Sequence, residues 1–173
     1  MAGMTFEEMT VSLKEEEEKN PRIEKRIKTF NVKEGMTVVD YGCGPGMYIK
    51  YFSSIVGKNG KVFAVDINEN AKDYVEKVIK ENKINNVVFC LADEYNCKIE
   101  AEISDIVFAL DVLHKIENQY RFLLELNRIC KKNGIIILDD GHQSRTETKM
   151  SLEKIVDWKI KEETEDHIKL TKK

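Results

Sequence analysis

Seven consecutive residues, Asp40-Tyr41-Gly42-Cys43-Gly44-Pro45-Gly46, carry the densest chemical signal in the chain. They follow the apolar pair Val38 and Val39 and read as a strand entering a glycine-rich turn. Turns of this kind usually cradle phosphate on their backbone N–H groups. Asp40 stands at the mouth of this one. A carboxylate about 5 Å from one phosphate charge costs about 3 kcal/mol at an effective dielectric of about 20, and beside an ammonium or sulfonium it gains a similar amount. The dinucleotide fingerprint G-x-G-x-x-G would need glycine where Met47 stands. No lysine and no G-K-[ST] lies in the turn, so the triphosphate-binding loop is absent. The turn therefore suits a ligand that is positively charged and carries no phosphate.

S-adenosylmethionine has those properties, with an ammonium, a sulfonium, a ribose and an adenine. Asp66 closes a second strand about twenty residues on, where an acid can accept both ribose hydroxyls. At these residues the sequence resembles the class I S-adenosylmethionine-dependent methyltransferases. Their acid-x-G-x-G-x-G motif stands here as Asp40 to Gly46, with Gly42, Gly44 and Gly46 as its glycines. The resemblance runs over roughly residues 20–173. It implies that Asp66 binds the ribose and that Asp93, after the third strand, accepts the adenine amine. It also implies that the Ala92 N–H meets a ring nitrogen and that Ile67 packs on the adenine face. The end of the fourth strand, from Leu110, would then face the methyl group. The bland alternatives are that Asp40 caps the turn, Asp66 caps the next helix and Asp93 sits in a solvated loop.

Methyl transfer from a sulfonium needs chiefly an in-line nucleophile, and a base only where the acceptor must lose a proton. His114 and His142, just after the fourth and fifth strands, are the candidate bases near neutral pH; each also has a structural reading. Asp111, Asp139 and Asp140 read as acids or as helix caps, and His167 as a surface residue. The run Leu110-Asp111-Val112-Leu113 departs from the polar, double-proline and aromatic pattern of family members that methylate exocyclic amines, and a Pro-Cys nucleophile is missing. Cys43, Cys90, Cys97 and Cys130 form no C-x-x-C pair and match no zinc spacing. They read as free thiols, with a thiophilic-substrate role for Cys97 as the sharper alternative, and no metal site is expected. The segment 110–143 is similar to the small-molecule branch of the family. The expected activity is thus methyl transfer to a small molecule. Methylation of protein or RNA with a partner subunit, a non-catalytic cofactor-binding module, and a nicotinamide oxidoreductase are the alternatives.

The elements that must position these residues alternate. Strands are predicted over 36–41, 61–67, 86–93, 104–112 and 135–140. Helices are predicted over 45–56, 68–82 capped by Asn68, 118–130 and 144–155, with a turn at 131–134. An earlier helix starts at Asn20 as cap with Pro21 first. Two last strands, 157–163 and 166–173, form a hairpin. Near-continuous apolar strands such as Ile135–Leu138 require cover on both faces. The expected fold is α/β, a doubly wound, mostly parallel seven-stranded sheet with a C-terminal antiparallel hairpin at its edge. It forms a single domain over 20–173. Residues 1–19 form a helical segment with Phe6, Met9 and Leu13 on one face, either packing or a lid over the acceptor pocket.

The 173 residues suffice for one sizeable core. A net charge of −3 argues against nucleic-acid or anionic-membrane partners. No apolar run approaches the roughly 20 residues of a membrane helix. The start, Met1 to Thr10, lacks a secretory pattern, so a cytoplasmic location is expected. An exposed edge hairpin could pair two copies into a homodimer.

Overall fold

The computed structural model describes residues 4–93, 95–155 and 157–173; residues 1–3 of the N-terminal segment lie outside them. Two helices lead, α1 (Phe6–Lys19) and α2 (Ile23–Phe30). There follow β1 (Thr37–Tyr41), α3 (Ile49–Val56), β2 (Lys61–Asp66), α4 (Asn70–Glu81), β3 (Val87–Leu91) and β4 (Ser104–Ala109). A 3₁₀ turn (Leu113–Lys115) leads into α5 (Gln119–Ile129), β5 (Cys130–Leu138), α6 (Arg145–Leu152), β6 (Trp158–Glu163) and β7 (Ile168–Lys172). The seven strands form one sheet in the order β3-β2-β1-β4-β5-β7-β6. β1 to β5 are parallel; β7 pairs antiparallel with both β5 and β6. This is the expected doubly wound sheet with its edge hairpin.

Strand periodicity divides the core in two. Val38, Ile106, Phe108 and Ile137 face α2, α3 and α4, packing on Phe30, Phe52 and Val75. Their neighbours Val39, Val107, Ala109, Ile136 and Leu138 face the other way, toward Phe122 and Leu126 of α5 and Leu152 of α6. A strand covered on both faces has no exposed side to colour polar, hence the unbroken apolar runs. Among the described residues no helix is long and apolar enough to cross a membrane.

Several boundaries differ from the sequence reading. Asn20 closes α1 rather than capping α2, its N–H donating to the Glu16 carbonyl. The free N–H groups of Arg22 and Ile23 instead donate to the Glu17 carboxylate, a charged acceptor that suits a helix N-terminus. α3 begins at Ile49, because Gly44 and Gly46 hold positive φ and keep 45–48 out of the helix. α4 begins at Asn70, whose N–H donates to the Asn68 side chain. The expected turn at 131–134 lies inside β5. Between the pairs Ser104–Cys130 and Ile106–Ile135, β5 advances five residues while β4 advances two, so the segment is absorbed as a bulge. His167 is 1% exposed rather than a surface residue. It lies under Phe30, edge to face at 5.3 Å, with Thr164 Oγ1 3.2 Å from its Nδ1. The hairpin is tucked against α2, which covers the ring.

One polar group sits deep on the α5 side. The Glu125 carboxylate accepts from the Cys97 N–H at 2.9 Å and thiol at 3.1 Å and from Arg128 at 2.6 Å. Burial works to raise this carboxyl, but the hydrogen bonds from Arg128 and Cys97 outweigh it and hold it below the usual range. Burial, aided by Glu125, pushes the Cys97 thiol up to about 12. Cys97 is fully buried and braces the fold; it is not placed to meet a thiophilic substrate. Glu125→Ala would strip partners from Cys97 and Arg128. We expect it to lower unfolding free energy by about 2 kcal/mol, measured by urea denaturation.

Candidate functional site

Strand order reverses between β1 and β4, and beyond the carboxyl ends of these strands opens a cavity of about 1500 Å³. The glycine turn after β1 forms its floor. Gly42 and Gly44 both hold positive φ. At Gly42 a Cβ would collide with Val112, so this glycine serves the close approach of two loops. At Gly44 a Cβ would meet only the Met9 methyl, at 3.9 Å; it faces open space under α1. Gly46 points away from the cavity, against Ile49 and Val75. The turn is anchored by Asp66. One oxygen accepts the Gly44 N–H at 2.8 Å, the other the Asn68 N–H at 2.9 Å.

Asp40 lines the same cavity but is 4% exposed, and its Oδ2 has no hydrogen-bond partner. Burial, with a smaller push from Asp66, raises its carboxyl to about 7. An acid in this condition lacks a counter-charge. Ile67, 66% exposed, lines the cavity, as does the largely buried Leu110 at the end of β4. Ala92 and Asp93 stand outside it. The Ala92 N–H donates to the Asp66 carbonyl at 2.9 Å, which leaves none to offer a ring nitrogen. Asp93 is exposed, bridges to Asn96 and lines a separate, smaller hollow. Tyr95, two residues on, reaches the cavity wall and accepts the Asn118 N–H on its hydroxyl.

The two histidines come together. Their rings meet edge to face with centroids 4.8 Å apart. His142 is exposed and lines the cavity; His114 sits behind it, largely buried. Burial pulls His114 below its ordinary value, and Lys115 and His142 add to this against Asp111. Asp139 caps no helix; α6 is capped by Ser144. Its Oδ1 accepts the Asp111 N–H at 2.7 Å and its Oδ2 accepts from Arg26 at 2.8 Å. Asp140 pairs with Arg145 at 2.8 Å.

Arg26 was invisible in the sequence as a site residue. It comes from α2, donates also to the Tyr48 hydroxyl at 3.1 Å, and keeps a buried Nε without a partner. Its position on the polar edge of a short amphipathic helix was the sole signal. Cys43 is no thiolate: burial first, then Asp40 and Asp66, push it well above the ordinary thiol value.

Comparison with known proteins agrees with this geometry. A family model described as a methyltransferase domain matches residues 32–172. The chain belongs to the class I S-adenosylmethionine-dependent methyltransferases. The methyltransferase chain is 29% identical over 120 residues to demethylmenaquinone methyltransferase of Staphylococcus saprophyticus, covering 69% of this chain and 51% of that protein. It is 30% identical over 108 residues to (S)-coclaurine N-methyltransferase of Papaver somniferum, covering 62% and 30%. The chain thus spans about half or less of the length of these curated relatives. A solved methyltransferase from Aquifex aeolicus superposes with a TM-score of 0.79 at 26% identity, covering 87% of this chain and 93% of that one. A Methanococcus maripaludis structure reaches 0.80 over the whole chain and 95% of its own at 16% identity, which speaks for the fold alone.

The raised Asp40 carboxyl has a cost for the ligand-free methyltransferase. A group protonated more readily folded than unfolded makes stability fall as pH rises from the unfolded value, about 3.9, to the folded one. The full span up to about 7 corresponds to about 4 kcal/mol; water at the cavity mouth reduces it. Asp40→Asn should therefore stabilise the ligand-free protein by about 2 kcal/mol on the alkaline side of that span and by almost nothing on the acid side. Urea denaturation at two pH values checks this.

Proposed function

We propose that this chain transfers a methyl group from S-adenosylmethionine to a small-molecule acceptor. The observation that carries this reading is Asp40, a buried and unpaired carboxylate beside a glycine turn that is open at Gly44. A phosphate would be repelled there, whereas an ammonium or sulfonium would lower the carboxyl toward its ordinary value and be held in return. Arg26, which lines the same cavity and is paired with Asp139, is assigned to the donor's amino-acid carboxylate. The Asp66 carboxylate, at the end of β2, is assigned to the ribose hydroxyls. Ile67 is assigned to an adenine face. Asp93, exposed beyond the end of β3, is assigned to the exocyclic amine; the N–H of Ala92 has no such part.

The donor supplies an electrophilic methyl on sulfur, and the protein's work is orientation and water exclusion. Leu110, at the end of β4, presents an apolar wall where the methyl is carried. His142, exposed in the cavity, is assigned to take the acceptor's proton; His114 backs its ring. We read α1 as a lid: Phe6, Met9 and Leu13 line the cavity mouth, Met9 over Gly44. The cavity exceeds the roughly 300–1,000 Å³ of a pocket for one small ligand, which supports two ligands bound together. The small-molecule class is supported by relatives named for demethylmenaquinone and coclaurine.

Calorimetry tests the donor site. S-adenosylmethionine and its demethylated product should bind, and nicotinamide dinucleotides should not; the reverse result overturns the proposal. Asp66→Ala should weaken binding about 30-fold, or about 2 kcal/mol. Gly44→Val should abolish it with an unchanged circular dichroism spectrum. Because a cationic ligand prefers the ionised carboxylate, donor affinity should rise as pH climbs through about 7 and level off above it. Label from the methyl donor should appear in a metabolite extract rather than in protein or RNA.

A further inference from the structure

Three side chains converge at the cavity wall, Asp111 and His142 lining it and His114 behind them. Asp111 follows β4, His114 lies in the 3₁₀ turn, and His142 follows β5. One donor atom from each lies within 4.8 Å of the other two. His114 Nδ1 stands 3.9 Å from Asp111 Oδ1, too far for a hydrogen bond. That nitrogen is buried and has no hydrogen-bond partner, a condition native proteins avoid unless something else satisfies the group. A gap of this length admits one ion about 2.0–2.2 Å from both His114 and Asp111, the usual distance of zinc from imidazole and carboxylate ligands, and the exposed His142 side chain has to move inward to complete the set.

The backbone is shaped around the cluster. Asp111 holds φ at +56°, a region that few residues with a Cβ adopt. Its N–H is tied to Asp139 Oδ1, which fixes the strained residue in place. At Gly141 a Cβ would run into the His114 ring. The glycine lets the loop after β5 close on His114 and carry His142 alongside. A cation already stands near: Lys115 Nζ is 3.3 Å from Asp111 Oδ2. Lys115 is half exposed, so its ammonium can withdraw to water when another cation arrives.

Two imidazoles and one carboxylate suit a borderline transition metal, whereas magnesium and calcium prefer oxygen ligands. We propose that Asp111, His114 and His142 bind one divalent transition-metal ion of the zinc class, with its open positions turned to the methyl acceptor. The binding stands on the cluster alone; the link to the acceptor rests on the methyltransferase reading. A hydroxyl or thiol on the ion gives up its proton to solvent more readily. Its lone pair then forms the bond to the methyl carbon while the carbon–sulfur bond of the donor breaks and that pair stays on sulfur. The ion thereby replaces His142 as the means of deprotonation. No spacing in the sequence signals this site, because its ligands come from two loops that the sheet brings together.

The test uses the full chain after chelator treatment, titrated with zinc chloride by calorimetry and with cobalt chloride by visible absorption. Wild type should take up one ion per chain and give the d–d bands of a protein-bound cobalt. His142→Ala removes an exposed ligand and leaves the core intact; Asp111→Asn keeps a residue tolerant of the left-handed backbone. Each should weaken binding at least about tenfold while circular dichroism stays unchanged. Absence of binding, or binding unaltered in both variants, overturns the proposal. Neither readout involves methyl transfer, so its outcome is separate from that of the activity assay.

Discussion

The central strands β1, β2, β4 and β5 are covered on both faces, so polar side chains gather at their carboxyl ends. Every functional feature of this chain follows from that constraint. β1, β2, β4 and β5 are apolar through their central residues and turn acidic at or just past their carboxyl ends, at Asp40, Asp66, Asp111 and Asp139. The two core halves, set by alternate residues of the same strands, hold those ends in register. The reversal of strand order between β1 and β4 then separates the loops enough to leave a cavity.

Within that cavity charge is arranged unevenly. Asp66 accepts one backbone N–H on each oxygen, from Gly44 in the glycine turn and from Asn68 after β2, and each oxygen can accept a second hydrogen bond. Asp139 and Asp140 are paired with arginines. Asp40 has neither kind of partner on its Oδ2. Of these four acids Asp40 is the one left with an oxygen unpaired, and the proposed reading gives that oxygen to the cationic donor. The same logic separates the cysteines from the chemistry, since burial keeps Cys43, Cys97 and Cys130 protonated.

The fold and the glycine turn were readable because their signals are local: an acid and three glycines in seven residues, and strands of the right length between capped helices. The helices expected from Asn118 and from Ser144 start there in the structure, each with that side chain as its cap. What escaped reading depends on distant partners. Glu17 displaced Asn20 as the acceptor at α2 because it folds back from the preceding helix. His167 looked like a surface residue until α2 was laid over the hairpin. The bulge at 131–134 has turn-like composition, yet β4 captures the chain on either side of it. The Ala92 N–H was assigned by analogy to a ligand, but the β2 end claims it first. Arg26 carries no motif at all; its role arises where a helix meets the end of β5.

Asp139 serves two masters, the arginine of the leading helix pair through one oxygen and the left-handed residue after β4 through the other. The lever beneath the roof and the wall beside the acceptor thus share a fulcrum. The helix that carries Arg26 and the loop that carries Asp111 are fastened to each other through one carboxylate, and removing that side chain would unfasten both.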